Sequence, residues 1–166
     1  MAGHLHDPPA ADRMKIVTLV LRVSLASVFL YSGLIKASSS AQFALALAPF
    51  TFLPENWHGP LAVLLPVLEI AGGLLILAPW TRRLGALTIL GLCLLFITAL
   101  GWALANDIIV SCSCFGEDET PSAGKMIFAL VRDALFAVLA LVVFLEKPLM
   151  RLSEKGFSLG KVRRNL

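Results

Sequence analysis

Apolar and polar positions along this chain fall into long blocks instead of alternating. Four blocks are "IVTLVLRVSLASVFLYSGLI" (16–35), "LAVLLPVLEIAGGLLILA" (61–78), "LGALTILGLCLLFITALGWALA" (84–105) and "IFALVRDALFAVLALVVFL" (127–145). Each approaches the roughly 20 residues needed to cross a hydrocarbon core about 30 Å thick. Backbone groups in lipid find no water, so each block predicts a helix that satisfies them internally. The pattern therefore predicts an all-α membrane protein, a bundle of four transmembrane helices over 16–145. The first block is longer than the apolar core of a signal peptide and contains Arg22, so it reads as a retained span.

The intervening stretches have characters of their own. Residues 1–15 are polar and proline-bearing and are expected to be disordered. "SSSAQFALALAPF" (38–50) predicts a short interfacial helix with Ser40 as N-cap, and "APFTFLPENWHGP" (48–60) a turn-rich stretch. The tight "PWTRR" (79–83) makes the second and third spans antiparallel neighbours. Residues 146–166 form a basic tail.

Composition agrees with this division. Apolar residues make up 58% of the 166, and mean hydropathy is +0.84, above the level of a soluble domain. The distribution of charge adds orientation. Arg13, Lys15, Arg82, Arg83, Lys147, Arg151, Lys155, Lys161, Arg163 and Arg164 all fall on one side of the four spans, against Lys36 and Lys125 on the other. The positive-inside rule then predicts both termini in the cytoplasm and the connection after the third span outside. Trp57, Trp80 and Trp102 lie near span ends, where interfacial anchors belong. The net charge of +3 comes from the inner tail and fits contact with anionic lipid, not nucleic acid.

Four charges interrupt the spans: Arg22, Glu69, Arg132 and Asp133. Ionised groups in a membrane face the bundle and seek partners. The four sum to zero and predict one polar network tying the first, second and fourth spans. That network is either structural or a place where Glu69 or Asp133 moves protons or an arginine holds the polar head of a quinone. Lys36, at the outer end of the first span, either snorkels to the headgroups or sits beside a thiol pair and favours its thiolate.

That pair lies in "SCSCFGEDET" (111–120), as Cys112 and Cys114. An outward-facing loop is in an oxidising compartment, where disulfides persist. A one-residue spacer forces any bond between them into a small strained ring, which is easier to reduce. Tying positions so close removes little chain entropy, so a static staple is the weaker reading. Two soft thiolates also suit Cu(I) or zinc with His58 as a third ligand, but no closed ligand set is visible and no metal is assigned. Cys93, mid-span, reads as a small core residue.

Taken together, "LRVSLASVFLYSGLIK" (21–36), "LPVLEIAGG" (65–73), "CSCFG" (112–116) and "RDALF" (132–136) give the chain a resemblance to the MauE/DoxX family of redox-associated membrane proteins, closer to the methylamine-utilisation branch. The resemblance implies a multi-pass protein of the bacterial inner membrane with its cysteine loop on the periplasmic side. It further implies a thiol–disulfide oxidoreductase role for Cys112 and Cys114, with Lys36, Phe115 and Gly116 supporting them. The partners it implies are a periplasmic thioredoxin-like protein and an exported disulfide-containing client; in the methylamine branch that client is the small subunit of methylamine dehydrogenase. A quinone is the one cofactor it suggests, by likeness to quinone-linked thiol oxidases. Those enzymes use two cysteine pairs where this chain has one outer pair, so direct exchange with a partner protein fits better. Two alternatives stay open: a small DoxX-type subunit of a quinone-linked oxidoreductase, and a non-catalytic assembly scaffold.

Overall fold

The computed structural model describes residues 10–51, 53–110 and 122–162, and the side chains of those from 16 to 145. All regular structure among these residues is helical: α1 (Ala10–Ser38), α2 (Ser40–Leu47), α3 (Glu55–Leu77), α4 (Arg82–Ala105) and α5 (Ala123–Val162). Four segments are long and apolar enough to cross a membrane, Ile16–Ser38, Glu55–Leu77, Arg82–Ala105 and Ala123–Leu145. Large apolar side chains such as Val20, Val63, Leu74, Leu94, Phe128 and Val138 point outward around the bundle. Lipid solvates such a surface and water does not. The chain is a multi-pass membrane protein.

The inward face of each span follows a three-and-four spacing. On α1 it is Arg22, Leu25, Ala26, Phe29, Ser32 and Lys36; on α3 Ala62, Leu65, Glu69 and Ile76; on α4 Ala86, Ile89, Cys93, Leu100 and Ala103; on α5 Met126, Ala129, Asp133, Ala140 and Val143. That spacing is one stripe of a helix, and four stripes make the core. Helix α1 packs on α3, α3 on α4 and α4 on α5, and α5 returns to α1. Neighbours run antiparallel. Arg22, early in α1, reaches Leu77 at the end of α3, and Arg83, early in α4, lies 5.9 Å from the ring of Phe144, late in α5. The two ends of the bundle therefore differ. One holds the α3–α4 turn, and the other holds α2, the start of α3 and both anchors of the α4–α5 connection.

Small residues set how closely the helices approach. A Cβ on Gly33 would meet Ile70 Cγ1 at 2.8 Å and the carbonyl oxygen of Pro66 at 3.0 Å, so α1 and α3 touch only because this position has no side chain. Gly85 does the same for α4 against α3, where a Cβ would lie 2.3 Å from the backbone nitrogen of Ile76.

Local chemistry fixes where α4 and α5 stop and start. Asp107 takes a positive φ of 56°, while Ile108 N–H donates to Ala103 O and Asp107 N–H to Leu104 O. This paired closure at a left-handed residue terminates α4. It turns Val110 back into a cluster with Phe50, Leu100 and Met126. At the other side of the connection, Ser122 Oγ accepts from Lys125 N–H at 3.4 Å and caps α5.

Several boundaries differ from the sequence expectation. Helix α1 starts at Ala10, inside the stretch expected to be disordered, because "AADRMK" is made largely of good helix formers that extend the span backwards. Helix α3 starts at Glu55, taking in half of the expected turn-rich stretch; Pro54 precedes it as N-cap. The short helix has Ser39, not Ser40, as its N-cap, with no side-chain capping bond. It is also less interfacial than expected: Phe43 is buried against Ala62, Leu65 and Leu92 inside the bundle. The backbone of α5 continues as helix to Val162, through the region read as a basic tail.

Candidate functional site

The buried charges separate into two places. Arg22 was expected in one network with Glu69, Arg132 and Asp133. Instead its Nε donates to the carbonyl of Ile76 at 2.9 Å and its Nη2 to that of Leu77 at 2.5 Å. Thr81 Oγ1 donates to the carbonyl of Leu75 at 2.9 Å. The last carbonyls of a helix have no intrahelical donor, and its C-terminal end attracts positive charge. Arg22 is thus a cap on α3, satisfied by backbone near the end of the bundle and removed from Glu69 by two turns of helix.

The other place is a layer halfway along the bundle. Glu69 is 14 residues into α3, about 21 Å from its start at 1.5 Å per residue. Asp133 is ten residues into α5, about 15 Å by the same rise. Both lie deeper than the sequence boundaries implied, because α3 and α5 begin earlier than the apolar blocks do.

Lys36 is the main surprise. Neither at the surface nor aimed at the headgroups, it is only 3% exposed. Its Nζ donates to Glu69 Oε1 at 2.5 Å, with both side chains almost wholly buried. Ser32 Oγ, one turn earlier on α1, donates to Glu69 Oε2 at 3.3 Å. The ammonium lies 4.5 Å from the ring centre of Phe96 and 5.5 Å from that of Phe43. Aromatic faces attract a cation, more so when water is excluded. The carboxylate, two rings and a hydroxyl thus offset part of the desolvation that burying the pair requires.

Local sequence explains the meeting. Gly33 lets α1 approach α3 within reach of this pair. One residue after Ser38 the helix breaks: Ser39 leaves helical geometry with φ −120° and ψ 42°. Helix α2 then sets Phe43 over the ammonium. Pro66, one turn before Glu69, removes a helical N–H from α3.

On the facing helix, Arg132 pairs with its neighbour Asp133. Nη2 and Nε of the guanidinium approach Oδ1 at 2.9 Å and 3.0 Å. A cavity of about 20 Å³ joins the two ion pairs, lined by Ser32, Lys36, Glu69, Arg132 and Asp133 with Phe29, Phe96 and Phe136 as walls. Phe29 and Phe136 meet edge to face, ring centres 5.9 Å apart.

Cys93 also lines this cavity. Read from the sequence as a small core residue, it is indeed buried, but among charges rather than in plain hydrocarbon. The sequence carried a signal for both oversights. Lys36 continues the stripe of Arg22, Phe29 and Ser32, and Cys93 continues that of Ala86 and Ile89, so register alone turns each inward.

Apolar layers flank the site. Leu25, Ala26, Ile76, Ala86, Ile89, Ala140 and Val143 pack together on the side of the α3–α4 turn. Phe43, Ala62, Leu65 and Leu92 pack on the other. Among the described residues, no group of three or more His, Cys, Asp and Glu is arranged to hold a metal ion. Cys112, Cys114, Phe115 and Gly116 lie outside the described residues; what the structure gives is the two ends of their connection, Val110 and Ser122, on the α2 side of the bundle. His58, considered as a ligand beside them, is on the first turn of α3 at that same end, its Nε2 buried without a hydrogen-bond partner.

Comparison with known proteins gives one finding. A family model described as methylamine utilisation protein MauE matches residues 14–146, four-fifths of the chain. No curated protein matches, and no solved structure matches.

Proposed function

The chain belongs to the methylamine utilisation MauE family, and we propose that it is a membrane thiol–disulfide redox protein working through Cys112 and Cys114. The observation that carries this reading is the position of the pair in sequence. Both thiols occur in the polar connection between α4 and α5, anchored by the closure after α4 and by the Ser122 cap. In this reading the polar connection offers the pair to a soluble protein, since only accessible thiolates exchange.

In the proposed reaction a thiolate of the pair attacks the disulfide of a thioredoxin-like partner. One mixed disulfide forms as the partner's sulfur leaves, and the second cysteine resolves it. The pair ends oxidised and the partner reduced, or the reverse when the thiols start on the partner. The excess of Lys and Arg at the opposite end supports an outward, periplasmic connection in the bacterial inner membrane. Exported disulfide-containing proteins are then the clients, and maturation of methylamine dehydrogenase is the task that fits the family.

The test is complementation of a strain lacking the gene, combined with thiol trapping on intact cells. Cys112→Ser with Cys114→Ser is expected to insert normally and to abolish complementation, and a membrane-impermeant thiol reagent should reach the native pair. Full activity of the double variant, or labelling only after the cytoplasm is opened, overturns the reading.

One observation favours a second reading, the quinone-linked subunit. Lys36 and Arg132 bring donors, and three phenylalanines bring ring faces, to one cavity. This reading predicts that Glu69→Gln harms activity more than loss of both outer cysteines.

A further inference from the structure

The polar layer has a feature that neither ion pair explains by itself. Two ion pairs, a hydroxyl and a thiol from four different places in the chain converge on one small void in the middle of a membrane span. Voids that stay dry are lined by hydrocarbon. A polar one needs only about 10–15 Å³ of probe-occupied volume and two to four hydrogen-bonding partners to hold a water. Here the volume is about 20 Å³, and Ser32, Lys36, Glu69, Arg132 and Asp133 supply donors and acceptors.

We propose that this cavity is an intramembrane water and proton site: one water molecule bridges the Lys36–Glu69 and Arg132–Asp133 pairs, and Glu69 exchanges protons through it. The charged and titratable groups facing Glu69 are Lys36 from α1, Cys93 from α4 and Arg132 and Asp133 from α5, while α2 presents the ring of Phe43. Ionisable groups within spans characteristically mark proton and ion routes. Apolar packing bounds the layer on both sides, more extensively on one. The apolar cluster of Leu25, Ile76, Ile89 and Val143 seals the layer from the α3–α4 turn. On the other side the smaller apolar cluster of Phe43, Ala62, Leu65 and Leu92 separates it from the junction of α1 and α2 at Ser39. The thinner apolar barrier puts proton exchange at the α2 end of the bundle, with no through-channel.

Cys93 is a built-in reporter, because its thiol lines the cavity. In the full chain carrying Cys112→Ser and Cys114→Ser, the S–H stretch in the infrared belongs to Cys93 alone. On transfer of the reconstituted protein to D2O, the band is expected to move to the S–D position within minutes. Filling the cavity with Ser32→Met, or with Val28→Phe if that variant fails to fold, should slow the exchange by about tenfold or more, since exchange then waits on local opening. In Lys36→Met, which removes the counter-ion of Glu69, a protonated-carboxyl band should appear, shift in D2O on the same timescale, and be absent from Lys36→Met with Glu69→Gln. An S–H band that survives for hours in the unfilled protein overturns the proposal, as does a Lys36→Met carboxyl band that D2O does not move. The thiol–disulfide reading stands or falls separately, on the outer pair.

Discussion

Helix α1 carries two buried cations, and they are held in different ways. Arg22 gives its donors to backbone carbonyls at the end of α3, whereas Lys36, four turns later on the same face, meets two rings and a carboxylate that also accepts from the Ser32 hydroxyl. The first arrangement satisfies carbonyls that the end of α3 leaves without intrahelical donors. The second creates a problem, a charge pair far from water, and solves it with side chains drawn from several helices. Burial of charge is common to both. The Lys36 arrangement has a polar cavity beside it, which gives it room for chemistry.

The comparison can be broken by removing one partner at a time. Glu69→Ala leaves the Lys36 ammonium buried without its carboxylate and is expected to cost about 3–5 kcal/mol, measured as unfolding in mixed micelles. Lys36→Met combined with Glu69→Leu should recover most of that loss, because replacing a whole buried pair by apolar residues is often neutral. A double variant no better than the single one would mean that the rest of the layer depends on the pair. Arg22→Met removes two charge-assisted bonds and is expected to cost about 1.5–3 kcal/mol while leaving activity per folded molecule unchanged; a loss of activity at full stability would erase the distinction drawn here. The smallest change is Ser32→Ala, expected at about 0.5–1.5 kcal/mol. Its use is to sharpen the comparison: the same hydroxyl removed from a lipid-facing position, as in Ser27→Ala, where Ser27 bonds only to its own helix, should have almost no effect.

Much of the architecture was legible from the chain. The four apolar blocks, the inward demand made by Glu69 and Asp133, and the family resemblance each rest on local composition, and the observed helices, the burial of both carboxylates and the matching family model agree with them. Boundaries were less legible. Helices α3 and α5 begin before their apolar blocks, because a helix continues as long as its backbone is satisfied and does not stop where hydrophobicity does. Lys36 was misjudged for a related reason: read by its place at the end of a block it belongs at the surface, while read by helical register it belongs in the core.

What the sequence determined by itself was the number of spans, the stripe on each that must face inward, and the polar connection holding two cysteines. A period of three and four residues is a property of one helix, so it needs no knowledge of the others. Only the tertiary structure decided which residues of different stripes share a level. Depth depends on where Gly33 and Gly85 let helices slide together and on the break at Ser39 that brings Phe43 inward. Those offsets put Lys36 opposite Glu69, left Arg22 with the carbonyls of α3, and brought Cys93 into the polar layer, because packing between helices and not the pattern within any one of them sets their relative height.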